Sequence, residues 1–320
     1  MNRRRLSRLA VVALLMIFAI SSLAGCTKTG GSDAGVNAKD GYPMEVVDST
    51  GRTVTIEAMP ERIVSLAPSN TEMLYACGLE SKVVGVTTFC NYPEEVKDKE
   101  KVGGFSDPSI EKIVALEPDL VLATTIHHKF LDEMENLGLT VLVMNAGSVK
   151  EVMDEIQLLG KVSGNVDETK DVVSNMQGKV DQVKQALKDV SDDEKVKVFY
   201  MLWDEPIMTI GPNTLLNDVI TLAGGVSVSG DAGTDYPTYS LETLVDKDPE
   251  AIIFTVMGTG GGIDPERVKA QDGWNAISAI KNDRIYGIDD DLMSRPGPRI
   301  VDGLLEVARA LYPDRFPDTD

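Results

Sequence analysis

Residues 109–124 recur, without a gap, as residues 240–255. Ser-Ile-Glu-Lys-Ile-Val-Ala-Leu-Glu-Pro-Asp-Leu-Val-Leu-Ala-Thr faces Ser-Leu-Glu-Thr-Leu-Val-Asp-Lys-Asp-Pro-Glu-Ala-Ile-Ile-Phe-Thr, with five of the sixteen positions identical and six more exchanging like for like. Each copy reads as one supersecondary unit. A serine N-cap (Ser109, Ser240) opens a short helix that carries a glutamate in its first turn (Glu111, Glu242). A proline (Pro118, Pro249) stops the helix, and an apolar run of strand length follows. Recurrence at about 130 residues is far longer than the ~20–50 of solenoids and requires two similar lobes.

The rest of the chain alternates strand and helix around these copies. Residues 44–56 form a hairpin pattern about Asp48-Ser49-Thr50-Gly51, and 62–66 and 83–87 read as buried strands. Between those strands, Ser69-Asn70-Thr71-Glu72 spells a capping box for a helix that Gly78 ends. A helix over 130–137 and a strand over 140–144 complete a first lobe. The second begins with a strand over 196–202 and the loop Trp203-Asp204-Glu205-Pro206. Gly211-Pro212-Asn213-Thr214 then opens a helix ending at Gly224, echoing residues 68–78; a helix near 274–280, a strand over 284–288 and a helix over 300–311 close the chain. This alternation predicts an α/β fold with mainly parallel sheets.

Between the lobes, Val172, Met176, Val180, Val183 and Leu187 draw one apolar stripe on a helix expected from Asn165 to about Val190. At 1.5 Å per residue it would run on the order of 40 Å, a rigid rod along both lobes. Gly178 within it lowers helix propensity by roughly 1 kcal/mol. The expected organisation is 44–163 for the first lobe, 164–192 for the rod and 193–320 for the second lobe, with a ligand cleft between lobes.

The formal charge of −20 falls to −24 once Arg3, Arg4, Arg5 and Arg8 of residues 1–25 are set aside. So acidic a chain repels phosphate backbones, which argues against nucleic acid. Two histidines and three cysteines argue against a multi-ligand metal centre. The four arginines precede a twelve-residue apolar run, 9–20, short of the ~20 residues that span a bilayer. It ends in Leu23-Ala24-Gly25-Cys26, which resembles a bacterial lipoprotein signal; the resemblance implies removal of 1–25 and lipidation of Cys26. Residues 26–43 then read as the lipidated cysteine and a flexible tether to the outer face of the cell membrane. Outside the cell a Cys77–Cys90 disulfide is chemically allowed, although one thiol sits in a helical pattern and the other in a loop.

In open α/β sheets, ligands bind outside the carboxyl ends of the strands. The loops there bring in Phe89, Tyr92, Phe105, Trp203, Tyr236 and Tyr239, in a chain only 5% aromatic. Aromatic walls suit a large flat or bulky ligand. Basic residues are few (Lys129, Arg295, Arg299) beside Asp204, Glu205, Asp231, Asp235 and Asp291. A multiply anionic chelate would be met by several arginines, so the balance favours a neutral, amide-decorated ligand. His127-His128 follows a strand end; adjacent side chains diverge, so at most one, His128, would serve as an axial ligand to a macrocycle metal, against a solvated loop as the plainer reading. Gly258-Thr259-Gly260-Gly261-Gly262 lacks the Lys-Ser/Thr ending of a phosphate loop and reads as a cleft edge. GxSxG and HExxH motifs are absent, which leaves an enzyme reading without support. Glu111 and Glu242 occupy matching places in pseudo-symmetric lobes, so a two-fold partner carrying one basic residue per subunit would meet both.

These residues resemble the substrate-binding lipoproteins of ABC importers for vitamin B12, ferric siderophores and haem. The resemblance is carried by Arg62-Ile-Val-Ser-Leu-Ala-Pro-Ser-Asn-Thr-Glu72, by Cys90-Asn91-Tyr92-Pro93, by residues 110–119 and by Arg295-Pro-Gly-Pro-Arg299. It implies a binding role without catalysis or cofactor, a permease dimer with its ATPase subunits as partner, and docking through Glu111 and Glu242. Within the family the chain looks most like the vitamin B12 branch, which implies corrinoid contacts at Phe89, Phe105 and Tyr236 and a polar contact at Asp291. Phe105 and Tyr236 stand where a B12 binder of the family has tryptophan, and Phe89 where it has tyrosine. A ferric siderophore or haem is the alternative, with Arg295 pairing a chelate's carboxylates.

Overall fold

The two repeat copies fold into the same hydrogen-bonded unit. Ser109 Oγ accepts from the Lys112 amide (3.4 Å) and Ser240 Oγ from the Thr243 amide (3.1 Å), capping helices Ile110–Ala115 and Leu241–Lys247. Just before each proline the chain turns left-handed at a matching acidic residue, Glu117 (φ 46°) and Asp248 (φ 42°). Just after it, a second matching acid ties the unit to the strand beside it. Asp119 accepts from the Glu61 and Arg62 amides (2.8 and 3.0 Å), and Glu250 accepts from the Lys197 amide (2.9 Å). The repeat therefore specifies strand pairing as well as local shape.

The structure, a computed structural model, describes residues 41–257 and 262–316. From Tyr42 onward the described residues form one compact unit. In order its elements are β1 (Met44–Val47), β2 (Thr53–Ile56), β3 (Ile63–Ser65), α1 (Pro68–Ala76), β4 (Val83–Val86), β5 (Glu100–Lys101), α2 (Ile110–Ala115), β6 (Leu120–Ala123), α3 (His128–Asn136) and β7 (Val141–Val143). Two helices follow, α4 (Val149–Ser163) and α5 (Val166–Ala186). Then come β8 (Val196–Met201), β9 (Trp203–Asp204), β10 (Ile207–Met208), α6 (Leu215–Leu222), β11 (Gly225–Ser227), α7 (Leu241–Lys247) and β12 (Ala251–Val256). The chain ends with α8 (Pro265–Lys269), α9 (Ser278–Lys281), β13 (Ile285–Asp289), α10 (Asp290–Met293) and α11 (Ile300–Leu311). No helix among the described residues is long and apolar enough to cross a membrane.

Two parallel sheets result, ordered β5-β4-β3-β6-β7 and β11-β8-β12-β13. Set the edge strand β5 aside and the orders coincide, each repeat strand (β6, β12) lying beside the first strand of its half (β3, β8). The fold is the α/β, mainly parallel architecture expected. All four residues of β6 are buried, as a parallel strand covered on both faces should be.

Alternate residues of these strands enter different cores. Ile63, Leu120, Val198 and Ile253 belong to one continuous apolar cluster that also takes in Ile156 and Leu159 of α4, Val180 and Val183 of α5, and Leu304 and Val307 of α11. Their neighbours Val64 and Val121 pack with Ile113 and Met134, while Phe199 and Ile252 pack with Leu244 and Trp274. One face of each sheet thus shares a core with the other half.

Helix α5 has 21 residues, roughly 32 Å at 1.5 Å per residue, shorter than the rod anticipated. Its start touches the end of α1, where Asn165 Nδ2 donates to the Cys77 carbonyl (3.1 Å), and Lys179 farther along pairs with Asp302 of α11. Helix α4, absent from the sequence reading, is capped by Ser148, which accepts from the Glu151 amide (3.1 Å), and ends at left-handed Gly164. The two helices cross closely at Gly160, where a Cβ would sit 2.1 Å from Thr169 Oγ1.

Two expectations are corrected, and the Cys77–Cys90 pairing left open by the sequence is not formed. Residues 69–72 form no capping box, because Pro68 takes the first helical position, where its missing N–H costs nothing, and Ala67 becomes the N-cap. Residues 203–206 are not a loop: β9 and β10 pair Asp204 with Ile207 and Trp203 with Met208. Cys77 and Cys90 are buried, free thiols, and Cys90 Sγ lies 3.2 Å from the hydroxyls of both Thr71 and Thr87. The export segment, Cys26 and most of the tether lie outside the described residues, as do Gly258–Gly261; Gly262 bridges to Val256.

Candidate functional site

Among the described residues, segments at the carboxyl ends of the two sheets meet in at least two places. Beside β7, the Val149 amide at the start of α4 donates to Asp218 of α6 (2.8 Å). There a cavity of about 510 Å³ lies between Gly147, Ser148 and Glu151 of one half and Asn213, Thr214 and Asp218 of the other. Beside β3 and β4, Glu72 of α1 meets Arg295 and Arg299, which follow α10. Elsewhere the carboxyl-end loops leave large side chains uncovered.

Phe89 is 60% exposed and Tyr236 59%, with Trp203 (48%) and Tyr92 (46%) close behind. All four are on loops or hairpins at carboxyl ends, two from each half. Trp203 is fixed by an indole N–H bond to the Glu205 carbonyl (2.9 Å), and its hairpin is anchored where Asp204 meets Arg267 of α8 at 2.5 Å. The two remaining aromatics differ. Phe105 is half-buried, its ring edge-on to His127 at 5.6 Å, and Tyr239 packs inward against Phe199.

His127 is not in a solvated loop. Its ring is fully buried; Nδ1 accepts from the Thr124 amide (3.0 Å), so Nε2 carries the proton and donates to the Phe105 carbonyl (2.7 Å). Burial lowers its pKa, keeping the ring neutral. It fastens the Phe105 loop. His128 opens α3 and is exposed.

Arg295 and Asp291 sit inside a charge cluster. Arg295 Nη1 donates to Glu72 Oε1 and Asn91 Oδ1, both at 2.8 Å, and Nη2 lies 2.5 Å from Asp291 Oδ1. Arg299 donates through Nε and Nη2 to the two oxygens of Glu72 (2.8 and 2.7 Å), which raises its pKa. The Arg299 guanidinium also lies 4.0 Å from the centre of the Tyr92 ring. Glu72, with its side chain 2% exposed, is the hub. Two arginines face two carboxylates, so the cluster offers a ligand no spare positive charge. Sequence reasoning missed Glu72 as an ion-pair hub; the pairing joins residues 223 and 227 positions apart.

Glu111 and Glu242 are exposed in the first turns of α2 and α7, and neither carboxylate is paired among the described residues. The same residues contain no cluster of three or more His, Cys, Asp or Glu suited to a metal.

Residues 63–292 match the family model described as periplasmic binding protein. An ABC transporter substrate-binding lipoprotein of Bacillus subtilis, itself uncharacterized, is 35% identical over 97% of this chain and 99% of its own length. The vitamin B12-binding protein of Vibrio cholerae (strain O395) is 29% identical over 78% of this chain and 89% of its own. A crystal structure of the periplasmic vitamin B12 binding protein of Vibrio cholerae superposes with a TM-score of 0.69 at 27% identity, covering 81% of this chain and 99% of that one. With two parallel sheets of matching strand order, the chain belongs to the periplasmic binding protein family, and its role is to bind a solute rather than transform one.

Proposed function

We propose that the protein captures a corrinoid of the vitamin B12 kind outside the cytoplasm and delivers it to an ABC permease dimer driven by its ATPase subunits. The observation that carries this reading is the set of uncovered aromatics, Phe89, Tyr92, Trp203 and Tyr236, two from each half on segments that follow the carboxyl ends of strands. Rings in such numbers suit a broad ligand with apolar faces. Phe105, half-buried and held edge-on to His127, adds a further ring from a carboxyl-end loop. The neutralised cluster of Glu72, Asp291, Arg295 and Arg299 suits a ligand edged with amides better than one bearing several carboxylates. The vitamin B12-binding relatives give the same direction.

Glu111 and Glu242 dock the permease, one to each subunit, and lipidation at Cys26 holds the protein on the outer face of the membrane. The protein needs no cofactor of its own; the corrinoid is cargo. Tryptophan fluorescence tests the ligand. Trp203 is half-exposed and Trp274 is 1% exposed, so cyanocobalamin should quench the first, saturably, and Trp203→Phe should remove that signal. Saturable quenching by haem or a ferric siderophore, with none by cyanocobalamin, would replace the corrinoid reading with the iron-chelate one.

A further inference from the structure

Tyr92 belongs to a loop of the first half, yet what lies under its ring comes from the second. The Arg299 guanidinium sits 4.0 Å from the ring centre, within range of a cation–π contact. That guanidinium is not free to rotate: Nε and Nη2 are both bonded to the buried carboxylate of Glu72. A planar donor fork held at two points presents one fixed face. The residue before Tyr92 is gripped from the same side, since Arg295 Nη1 donates to Asn91 Oδ1 at 2.8 Å while also bonding Glu72. The segment between the arginines is pressed onto α1, with a Cβ at Gly297 coming 3.5 Å from the Ser69 carbonyl and 3.9 Å from Glu72 Cβ. One half thus holds two consecutive residues of the other half's aromatic loop.

We infer that Arg299, locked by Glu72, is a positioning residue for the ligand face: it sets the Tyr92 ring from across the junction between the halves. The aromatic wall then stands only while the halves are together. Separating them withdraws the guanidinium from Tyr92 and the Arg295 bond from Asn91, so an opening force weakens ligand contacts that it never touches. The effect on affinity rests on the function proposed above; the effect on Tyr92 itself does not.

Both parts are testable. In cyanocobalamin titrations, Arg299→Lys keeps the charge but loses the planar stack and should weaken binding about tenfold. Tyr92→Leu should weaken it to a similar degree, and the double variant should be no worse than the weaker single one. Losses that add would overturn the inference. Without ligand, a Tyr92→Trp reporter in a Trp203→Phe background should shift to longer wavelength when Arg299→Lys is added. Glu72→Gln, which keeps the shape of the side chain, should give the same shift if Arg299→Lys folds poorly. Unchanged emission in both variants would overturn the inference, and failure of the wild type to bind cyanocobalamin would overturn only the corrinoid reading.

Discussion

Glu72→Ala tests whether the charge cluster holds the halves together or merely decorates their edge. Glu72 is 2% exposed, Arg295 13% and Arg299 21% at the side chain, well short of the exposure of ordinary surface pairs. Truncating Glu72 removes three hydrogen bonds and leaves two guanidiniums with Asn91, Tyr92 and the partly exposed Asp291 as company. Breaking a buried pair from one side costs about 3–5 kcal/mol, against ~0–1 kcal/mol for an exposed one. Arg299→Ala should cost less, about 1.5–3 kcal/mol, because Glu72 keeps its bond to Arg295. In urea unfolding the midpoint should drop strongly for Glu72→Ala and about half as far for Arg299→Ala, with unchanged slope. The melting temperature of Glu72→Ala should fall by roughly 10 °C. A loss below ~1 kcal/mol for Glu72→Ala would place the cluster with surface pairs and refute the reasoning.

Two further outcomes are expected. Glu111→Ala combined with Glu242→Ala should abolish uptake in cells while leaving ligand affinity within about three-fold, since both side chains are exposed and unpaired among the described residues; lost affinity would contradict docking. Glu155, whose Oε1 accepts from Ser49 Oγ and the Asn145 amide (both 2.5 Å) while Oε2 is buried without a partner among the described residues, has its pKa raised by burial to about 7. A carboxyl whose folded pKa lies above its unfolded value of 4.5 holds its proton more tightly when folded, so its contribution is full below about pH 4.5 and is lost as pH rises through about 7. Glu155→Gln should therefore match the wild type at pH 4 and exceed it by about 3 kcal/mol at pH 8; equal stability at both would show that the carboxylate is well solvated.

What was legible in the sequence was what short-range chemistry dictates. Serine caps, a proline stop and an acid after the proline act within sixteen residues, so two copies of the pattern meant two copies of the unit, down to the bonds of Asp119 and Glu250. Helix α4 is also written plainly in the sequence, with Ser148 three residues before Glu151 and apolar residues at 149, 152, 153, 156 and 159. Glu72 went astray for the opposite reason. Its local spelling fits a capping box, and only contacts more than two hundred residues distant make it a hub. His127 likewise looked like a rim residue because nothing nearby in sequence announces that the Phe105 carbonyl lies within reach of its ring. Exposure of the aromatic loops followed from their place after strands; the partial burial of Tyr239 depended on Phe199 of β8, distant in sequence.

The apolar cluster that runs beneath both sheets limits how this molecule can report that it is loaded. Moving the sheets far apart would break into the apolar cluster that holds Leu120, Val198 and Ile253, so large swings between an open and a shut silhouette are disfavoured. Small-angle scattering from empty and filled protein should then give nearly superimposable curves. If the docking proposed for Glu111 and Glu242 holds, loading is read from a subtle cue, such as the spacing of those two side chains, rather than from a change of outline.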